Sequence, residues 1–371
     1  VFAVVTGGGT AGHVLPALAV ADALRAAGHP AEDIHYVGCQ RGVETRLVPA
    51  TAYPHTFLDV VGFQRSPSLR NVRINASFVP KMLRARRRAL ALLKRIRPAV
   101  VVSVGGYASM PSVLAARTLG IAVVVVSYDR RPGRASVVAA RKAAACAVAF
   151  DGSTLPNATV TGAPVRQQIL DVDRHADRSA ARERLGVPMD RHLIAVMGGS
   201  LGSGVLNAEI ATWVAAHERD PSVAVRQVAG ERFVDDIVEV GDVADGIIHT
   251  VVGYESDMAS VYAACDLLIG RGGASTVHEV AVTGVPAILV PWAGAADDHQ
   301  TGNVEWLSEV GGAVLVAEPD LGTLGHEIDR LLADGDTRRA LSEAALRRGE
   351  VHRSGALAEL IERVALTSST S

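Results

Sequence analysis

The chain has 371 residues, long enough for two domains, and its formal net charge of -2 gives no general excess of cations that would point to nucleic-acid binding. Hydrophobic residues make up 49% and aromatic ones only 4%, which predicts a core of Ala, Val and Leu. Three scattered cysteines, Cys39, Cys146 and Cys265, fit neither a disulfide framework nor metal-ligand spacing, and no run approaches the roughly 18 to 20 apolar residues of a membrane-spanning helix, so a reducing cytoplasm is the simplest home.

In chain order, residues 1–6 are a short apolar run, followed by GGGTAGH at 7–13 and a helical pattern to residue 28 carried by Leu15, Leu18, Ala19, Ala23 and Leu24. Strand, glycine turn and helix in that order form a mononucleotide-binding unit, although GxGxxG and a Walker A lysine are both lacking. Thr10 and His13 stand on the turn. His13 either bonds its own turn or does chemistry, since an imidazole titrates near neutral pH. Residues 34–38 and 53–60 read as strands, with a short helix over 42–50. Between 66 and 97, Ile74, Phe78, Val79, Met82 and Leu83 alternate with Arg84, Arg86, Arg87, Arg88, Lys94, Arg95 and Arg97. Such a basic amphipathic helix either rests on an anionic membrane or is an ordinary solvated face.

Residues 99–104 form a buried strand that runs into GGYAS at 105–109 and a helix over 111–119. Two glycine turns at strand ends can line one crevice, and Tyr107 is either a contact there or a packed aromatic. The run 121–126 shows no alternation, as in a strand covered on both faces. Ser127, Tyr128, Asp129, Arg130 and Arg131 follow as a polar turn, and 144–150 and 158–161 complete the half. TGAPVR at 161–166 marks a boundary, because Gly162 and Pro164 break regular structure. The predicted domains are 1–162 and 163–351, with a last helix at about 352–368 packing back on the first. The second domain opens on a strand at 192–197 and GGSLG at 198–202. It continues with strands at 223–228, 246–252, 266–269 and 287–290, and ends in helices at 321–333, 337–348 and 355–366. The fold class is α/β, with two Rossmann-like domains whose parallel sheets face one cleft.

The densest stretch is RGGASTVHEVAVTGVPAILVPWAGAADDHQTGN at 271–303. Gly272, Gly273 and Ala274 carry little or no side chain, so a phosphate can approach backbone N–H groups where the next helix begins. Glu279, inside that helix, is placed to hold a pair of hydroxyls such as those of a ribose. His299, Gln300 and Asn303 follow the 285–291 strand on a polar loop, at the carboxyl end where ligands of α/β sheets bind. The implied ligand has both sugar and phosphate.

In order and spacing, GGGTAGH, GGYAS, TGAPVR, GGSLG, DMASVYAACDLLIGRGGASTVHEVAVTGVPAILVP and ADDHQTGN resemble the MurG family of bacterial N-acetylglucosaminyltransferases over nearly the whole chain. The resemblance implies a GT-B enzyme of peptidoglycan synthesis that moves GlcNAc, with inversion, from UDP-GlcNAc to a lipid-linked muramyl peptide, converting lipid I to lipid II. It would be cytoplasmic and peripheral on the inner membrane face, through 66–97. The resemblance assigns Glu279 to the ribose hydroxyls, Ser200 to the diphosphate, and Arg166 and Arg271 to the cleft. Met258 lies near the uracil, Ala274 faces the sugar through its backbone, and His299, Gln300 and Asn303 read the GlcNAc hydroxyls. His13 is the catalytic base, with Thr10, Tyr107 and Asp129 on the acceptor side. No cofactor or metal is required on this reading, since GT-B enzymes use helix-terminal amides and cationic side chains instead, and Asp297 and Asp298 are loop structure. The chain departs from the family at Val126, Ser127, Tyr128 and Asp129, where His-Glu-Gln-Asn is common, and at Leu201, where GGSQG has glutamine. Two acceptors therefore stay open: lipid I, or another molecule such as a specialised metabolite, glycosylated from UDP-GlcNAc or another UDP-sugar. A sugar-nucleotide epimerase and a silent UDP-sugar sensor are the readings from other classes.

Overall fold

The computed structural model describes residues 1–62, 69–199, 201–237, 239, 246–295 and 298–369, with the backbone alone at 11, 69–77, 368 and 369. The chain divides into two compact units, Val1–Gln167 with Ser354–Ser371, and Gln168–Arg353.

The first unit runs β1 (Ala3–Thr6), α1 (Ala11–Ala26), β2 (Ile34–Cys39), α2 (Glu44–Leu47), β3 (His55–Leu58), α3 (Leu69–Ile96), β4 (Val100–Ser103), α4 (Met110–Leu119), β5 (Ala122–Ser127), α5 (Arg134–Ala140), β6 (Ala145–Val148) and β7 (Ala158–Val160). Among the described residues the sheet has seven strands in the order β3-β2-β1-β4-β5-β6-β7. All pairs are parallel, with Ala3 of β1 opposite both Ile34 and Val100. The valine runs of β4 and β5 are buried on both faces, as a parallel sheet covered by helices requires. The chain builds outward from β1 to β3 and then returns to place β4 on the other side of β1. The crevice at the carboxyl ends of β1 and β4 is thus the topological switch point, where ligands of such sheets bind. The Arg134–Ala140 helix has no counterpart in the sequence pattern; its buried Ser136, Ala139 and Ala140 carry too little hydrophobicity to show a period.

Helix α3 buries Ala85, Ala89, Leu92 and Leu93 against the core. On its other side Val79 and Leu83 are exposed beside exposed Arg84, Arg86, Arg87 and Arg88, while Phe78 and Met82 are half-buried. The side chain of Ile74 lies outside the described residues.

The second unit runs α6 (Gln167–Leu170), α7 (Arg178–Leu185), β8 (His192–Met197), α8 (Gly204–Ala216), β9 (Val223–Val228), β10 (Ile248–Val252), α9 (Met258–Ala264), β11 (Leu267–Arg271), α10 (Ala274–Thr283), β12 (Ala287–Val290), α11 (His299–Ser308), β13 (Val314–Leu315), α12 (Leu324–Ala333) and α13 (Gly335–Gly349). Its sheet order is β10-β9-β8-β11-β12-β13, again all parallel, so the β8/β11 pair forms its switch point. The last helix, α14 (Ala356–Ser369), belongs to the first unit. There it buries Leu357, Leu360, Ile361 and Val364 and packs against α1, β4, β5 and β6. A 2.9 Å bond between His29 Nε2 and Glu362 Oε1 joins it to the end of the first helix.

One sequence reading is corrected here: His299, Gln300 and Asn303 lie on the first turns of α11, not on a loop. Gly302 and Asn303 lower local helix preference, but Val304, Trp306 and Leu307 become buried and tertiary packing overrides it. Among the described residues, no helix is long and apolar enough to cross a membrane.

Candidate active site

At the switch point of the first unit, β1 leads into the glycine turn and α1. Thr10 occupies the N-cap position, yet its hydroxyl does not cap the helix. It lies 2.9 Å from His13 Nδ1, and the His13 amide donates to Thr10 O at 3.0 Å. The imidazole rests on the second glycine turn. A Cβ on Gly105 would stand 3.3 Å from His13 Cδ2, and one on Gly106 would stand 2.5 Å from Gly8 O and 3.3 Å from His13 Cγ. Both glycines have positive φ, +92° and +74°, so glycine is required on conformational as well as steric grounds. The glycines of GGYAS therefore make room for a ring.

Burial pushes the His13 imidazole below its ordinary range, and the Asp129 carboxylate opposes that shift. In the tautomer where Nδ1–H donates to Thr10 Oγ1, Nε2 carries the lone pair of a base. Asp129 sits on the turn after β5. Before it, buried Tyr128 donates its hydroxyl to Gly12 O, fastening that turn to the first turn of α1. Tyr107 is a packed aromatic: a Cβ on Gly9 would stand 2.5 Å from its Cε1, and its hydroxyl lies 3.9 Å from Cys39 Sγ. Arg166 is half-buried where the chain leaves this unit.

In the second unit the glycine turn follows β8. Ser200 lies outside the described residues, and Leu201 beside it is exposed. Ser203 caps α8 by accepting from the Leu206 amide at 3.4 Å. Its hydroxyl also accepts from Arg271 Nε at 3.1 Å and Nη2 at 2.6 Å. Arg271 Nη1 reaches Glu318 Oε2 at 2.7 Å and the carbonyls of Val290 and Pro291 at 3.4 Å each. This buried guanidinium thus ties the start of α8 to the ends of β11 and β12.

The small residues at the start of α10 divide their duties. Gly272 is pressed against α11, since a Cβ there would stand 2.6 Å from Val304 Cγ2 and 2.9 Å from Gln300 O. Asn303 is fully buried and donates to Gly272 O at 3.3 Å. Gly273, the N-cap, has nothing within 4 Å of a Cβ position and gives the helix no side-chain cap. Behind it the first-turn amides of α10, from buried Ala274 onward, make a seat for an anion at the positive end of the helix dipole.

Glu279 is buried on α10 and accepts from the Tyr262 hydroxyl at 2.8 Å, which links it to α9. Half-buried Met258 is the first residue of α9, after the N-cap Asp257, whose carboxylate accepts from Ser260 N at 3.1 Å. The Asp257 amide donates to Glu255 at 2.8 Å, and Arg226 grips the same carboxylate through Nε at 2.8 Å and Nη2 at 2.7 Å. Gln300 Oε1 accepts from the Trp292 amide at 2.9 Å, and half-buried His299 opens α11. Among the described residues, no group of three His, Cys, Asp or Glu side chains is placed to hold a metal ion.

Sequence reasoning missed Ser203, Tyr262, Glu318 and the Arg226–Glu255 pair. Ser203 could have been found as a helix cap after GGSLG; the others take their meaning from partners far along the chain. Chemically, the first unit offers a positioned imidazole, and the second a seat for phosphate with a carboxylate one helical turn behind it.

Residues 3–148 match the Glycosyltransferase family 28 N-terminal domain, and residues 193–356 match the Glycosyltransferase family 28 C-terminal domain. The UDP-N-acetylglucosamine--N-acetylmuramyl-(pentapeptide) pyrophosphoryl-undecaprenol N-acetylglucosamine transferase of Clavibacter sepedonicus is 37% identical over 361 residues, covering 96% of this chain and 94% of its own. The protein of the same name from Paenarthrobacter aurescens is 39% identical over 348 residues, covering 92% and 90%. The crystal structure of Acinetobacter baumannii MurG superposes with a TM-score of 0.67 at 26% identity, covering 98% of each chain.

Proposed function

The chain belongs to glycosyltransferase family 28, and from that membership we propose that it moves GlcNAc from UDP-GlcNAc to the muramyl hydroxyl of a pyrophosphoryl-undecaprenol acceptor, with inversion. It is an N-acetylglucosaminyltransferase. The Gln168–Arg353 unit holds the donor, and the Val1–Gln167 unit takes the acceptor's proton.

An alcohol attacks poorly while it keeps its proton, so a base must remove that proton as the bond to the anomeric carbon forms. His13 Nε2 does so, with Nδ1–H held by Thr10 and the resulting imidazolium stabilised by the Asp129 carboxylate. The departing UDP carries growing negative charge, which the α10 amides and dipole stabilise, with Ser200 assigned to the diphosphate and Arg166 to the cleft. Glu279 receives the ribose hydroxyls while Tyr262 fixes its rotamer. Met258 packs near the uracil. Gln300 and Asn303 shape the sugar pocket by holding Trp292 and Gly272, and His299 faces the GlcNAc hydroxyls. Arg271, the other arginine assigned to the cleft, is engaged by Ser203 and Glu318 and so braces the start of α8. Val79, Leu83 and the neighbouring arginines of α3 give the acceptor unit a basic, partly apolar face for peripheral contact with an anionic membrane.

The observation that carries this reading is His13, held through Nδ1 at the β1/β4 switch point with Nε2 left for the acceptor. A second acceptor class stays in view because Asp129 puts a carboxylate beside the base where the family commonly has a neutral amide. The test supplies purified protein with several UDP-sugars, a lipid I analogue and small soluble alcohols, and identifies products by mass. A lipid-linked disaccharide from UDP-GlcNAc is the expected product. Glycosylation of soluble alcohols alone would establish the second class, and isomerised donor in the absence of acceptor would overturn transfer altogether.

A further inference from the structure

Glu44 opens the short helix α2 and is its only buried residue, with no exposed surface. Its Oε1 accepts from the Gly9 amide at 2.9 Å and from the Cys39 amide at 3.2 Å, so one carboxylate oxygen bridges the glycine turn after β1 and the end of β2. Its Oε2 is buried and has no hydrogen-bond partner among the described residues. A buried, unmatched carboxylate oxygen is costly, and an apolar side chain would serve packing better. The surroundings are nonetheless cleared for it: a Cβ on Gly8 would stand 2.5 Å from Oε1, and one on Gly42 would stand 2.9 Å from Oε2. Gly9 itself is bounded on the far side by Tyr107, and Tyr36 donates to Gly7 O at 2.7 Å. The turn is therefore held at Gly7 by a phenol and at Gly9 by a carboxylate, immediately before Thr10 and His13.

We infer that Glu44 is a positioning residue for glycosyl transfer: by binding the Gly9 amide it sets the turn that carries Thr10, and hence the direction in which His13 Nε2 points. The carboxylate also gives the turn a second property. It occupies an amide that a glycine turn would otherwise leave open to an anion, so the Gly9 N–H is committed to holding the turn. The inference rests on the reading of His13 as the base.

Steady-state transfer by full-length Glu44→Ala, Glu44→Gln, Glu44→Asp and His13→Ala proteins, together with calorimetric titration by UDP, tests it. Misplacing a reacting group by about 1 Å costs on the order of 100-fold, so Glu44→Ala should lose about that much in kcat. UDP affinity should be unchanged and the acceptor KM should move far less than kcat. Glu44→Gln keeps an oxygen for the Gly9 amide and should recover to within about tenfold of the parent, whereas Glu44→Asp, one methylene short, should fall with alanine. If Glu44→Ala does not fold, the ranking of Gln above Asp decides. A kcat within about threefold of the parent for both Ala and Asp, with only the melting temperature lowered, would make Glu44 purely structural. If His13→Ala also keeps its turnover, the base assignment fails first; if His13→Ala is inactive while the Glu44 variants are not, only this inference falls.

Discussion

In each unit the first strand leads through a glycine turn into a helix, yet the turns are anchored by opposite charges. After β1 a buried carboxylate, Glu44, holds the Gly9 amide. After β8 a buried guanidinium, Arg271, holds the Ser203 hydroxyl that caps the next helix. Sheets of like order thus supply two crevices whose turns are fixed differently, the first by a carboxylate on a backbone amide and the second by a guanidinium that is itself paired with Glu318. The glycines differ accordingly. Gly105 and Gly106 make room for an imidazole, whereas Gly273 leaves helix amides open.

The sharpest way to break this contrast is His13→Ala. Loss of a general base costs about 100- to 10,000-fold, so kcat should fall by roughly 1,000-fold while UDP affinity, measured by calorimetry, stays put. A parallel loss of UDP binding would mean that the first crevice also serves the donor. Next in size is Arg271→Met, which strands Glu318 and should destabilise the second unit by about 3 kcal/mol in urea unfolding. Collapse of UDP affinity with unchanged stability would instead place Arg271 on the diphosphate. Glu279→Ala removes a charged acceptor and should weaken UDP by about 2 kcal/mol, roughly thirtyfold, with Tyr262→Phe showing a smaller loss in the same direction. Unaltered affinity in both would remove the ribose from α10.

The smallest effect concerns pH. With His13 proposed as the base, its neutral imidazole is the active form, and burial lowers its pKa, so kcat/KM should fall only below the ordinary imidazole value of about 6.5. Asp129 raises that pKa, so Asp129→Asn should move the acid limb to still lower pH, by less than about one unit. A shift toward higher pH would remove Asp129 from the base's surroundings.

Much of the scaffold was legible because its signals are local. The stretches 193–197 and 287–290 are uninterrupted apolar runs, 223–228 is apolar up to Arg226, and His13 and Glu279 lie inside motifs whose neighbours declare them. Helix α11 was not legible, since Gly302 and Asn303 read as breakers until Val304, Trp306 and Leu307 find a core. Gly272 was read as clearance for a ligand, whereas its missing side chain admits Val304 and the Gln300 carbonyl. Glu44 passed unnoticed because its partners, Gly9 and Cys39, are contributed by other elements. Spacing along the sequence shows which groups share a turn; it does not show which carboxylate the fold turns inward.

The placement of α14 fixes an order of assembly. The Gln168–Arg353 unit is continuous in sequence and can close as soon as it leaves the ribosome, but the unit that precedes it must wait for α14, which follows it, to cover α1, β4, β5 and β6. During synthesis the nascent first unit therefore carries bare apolar surface for the time needed to translate the entire second unit, and it is the half most in need of a chaperone.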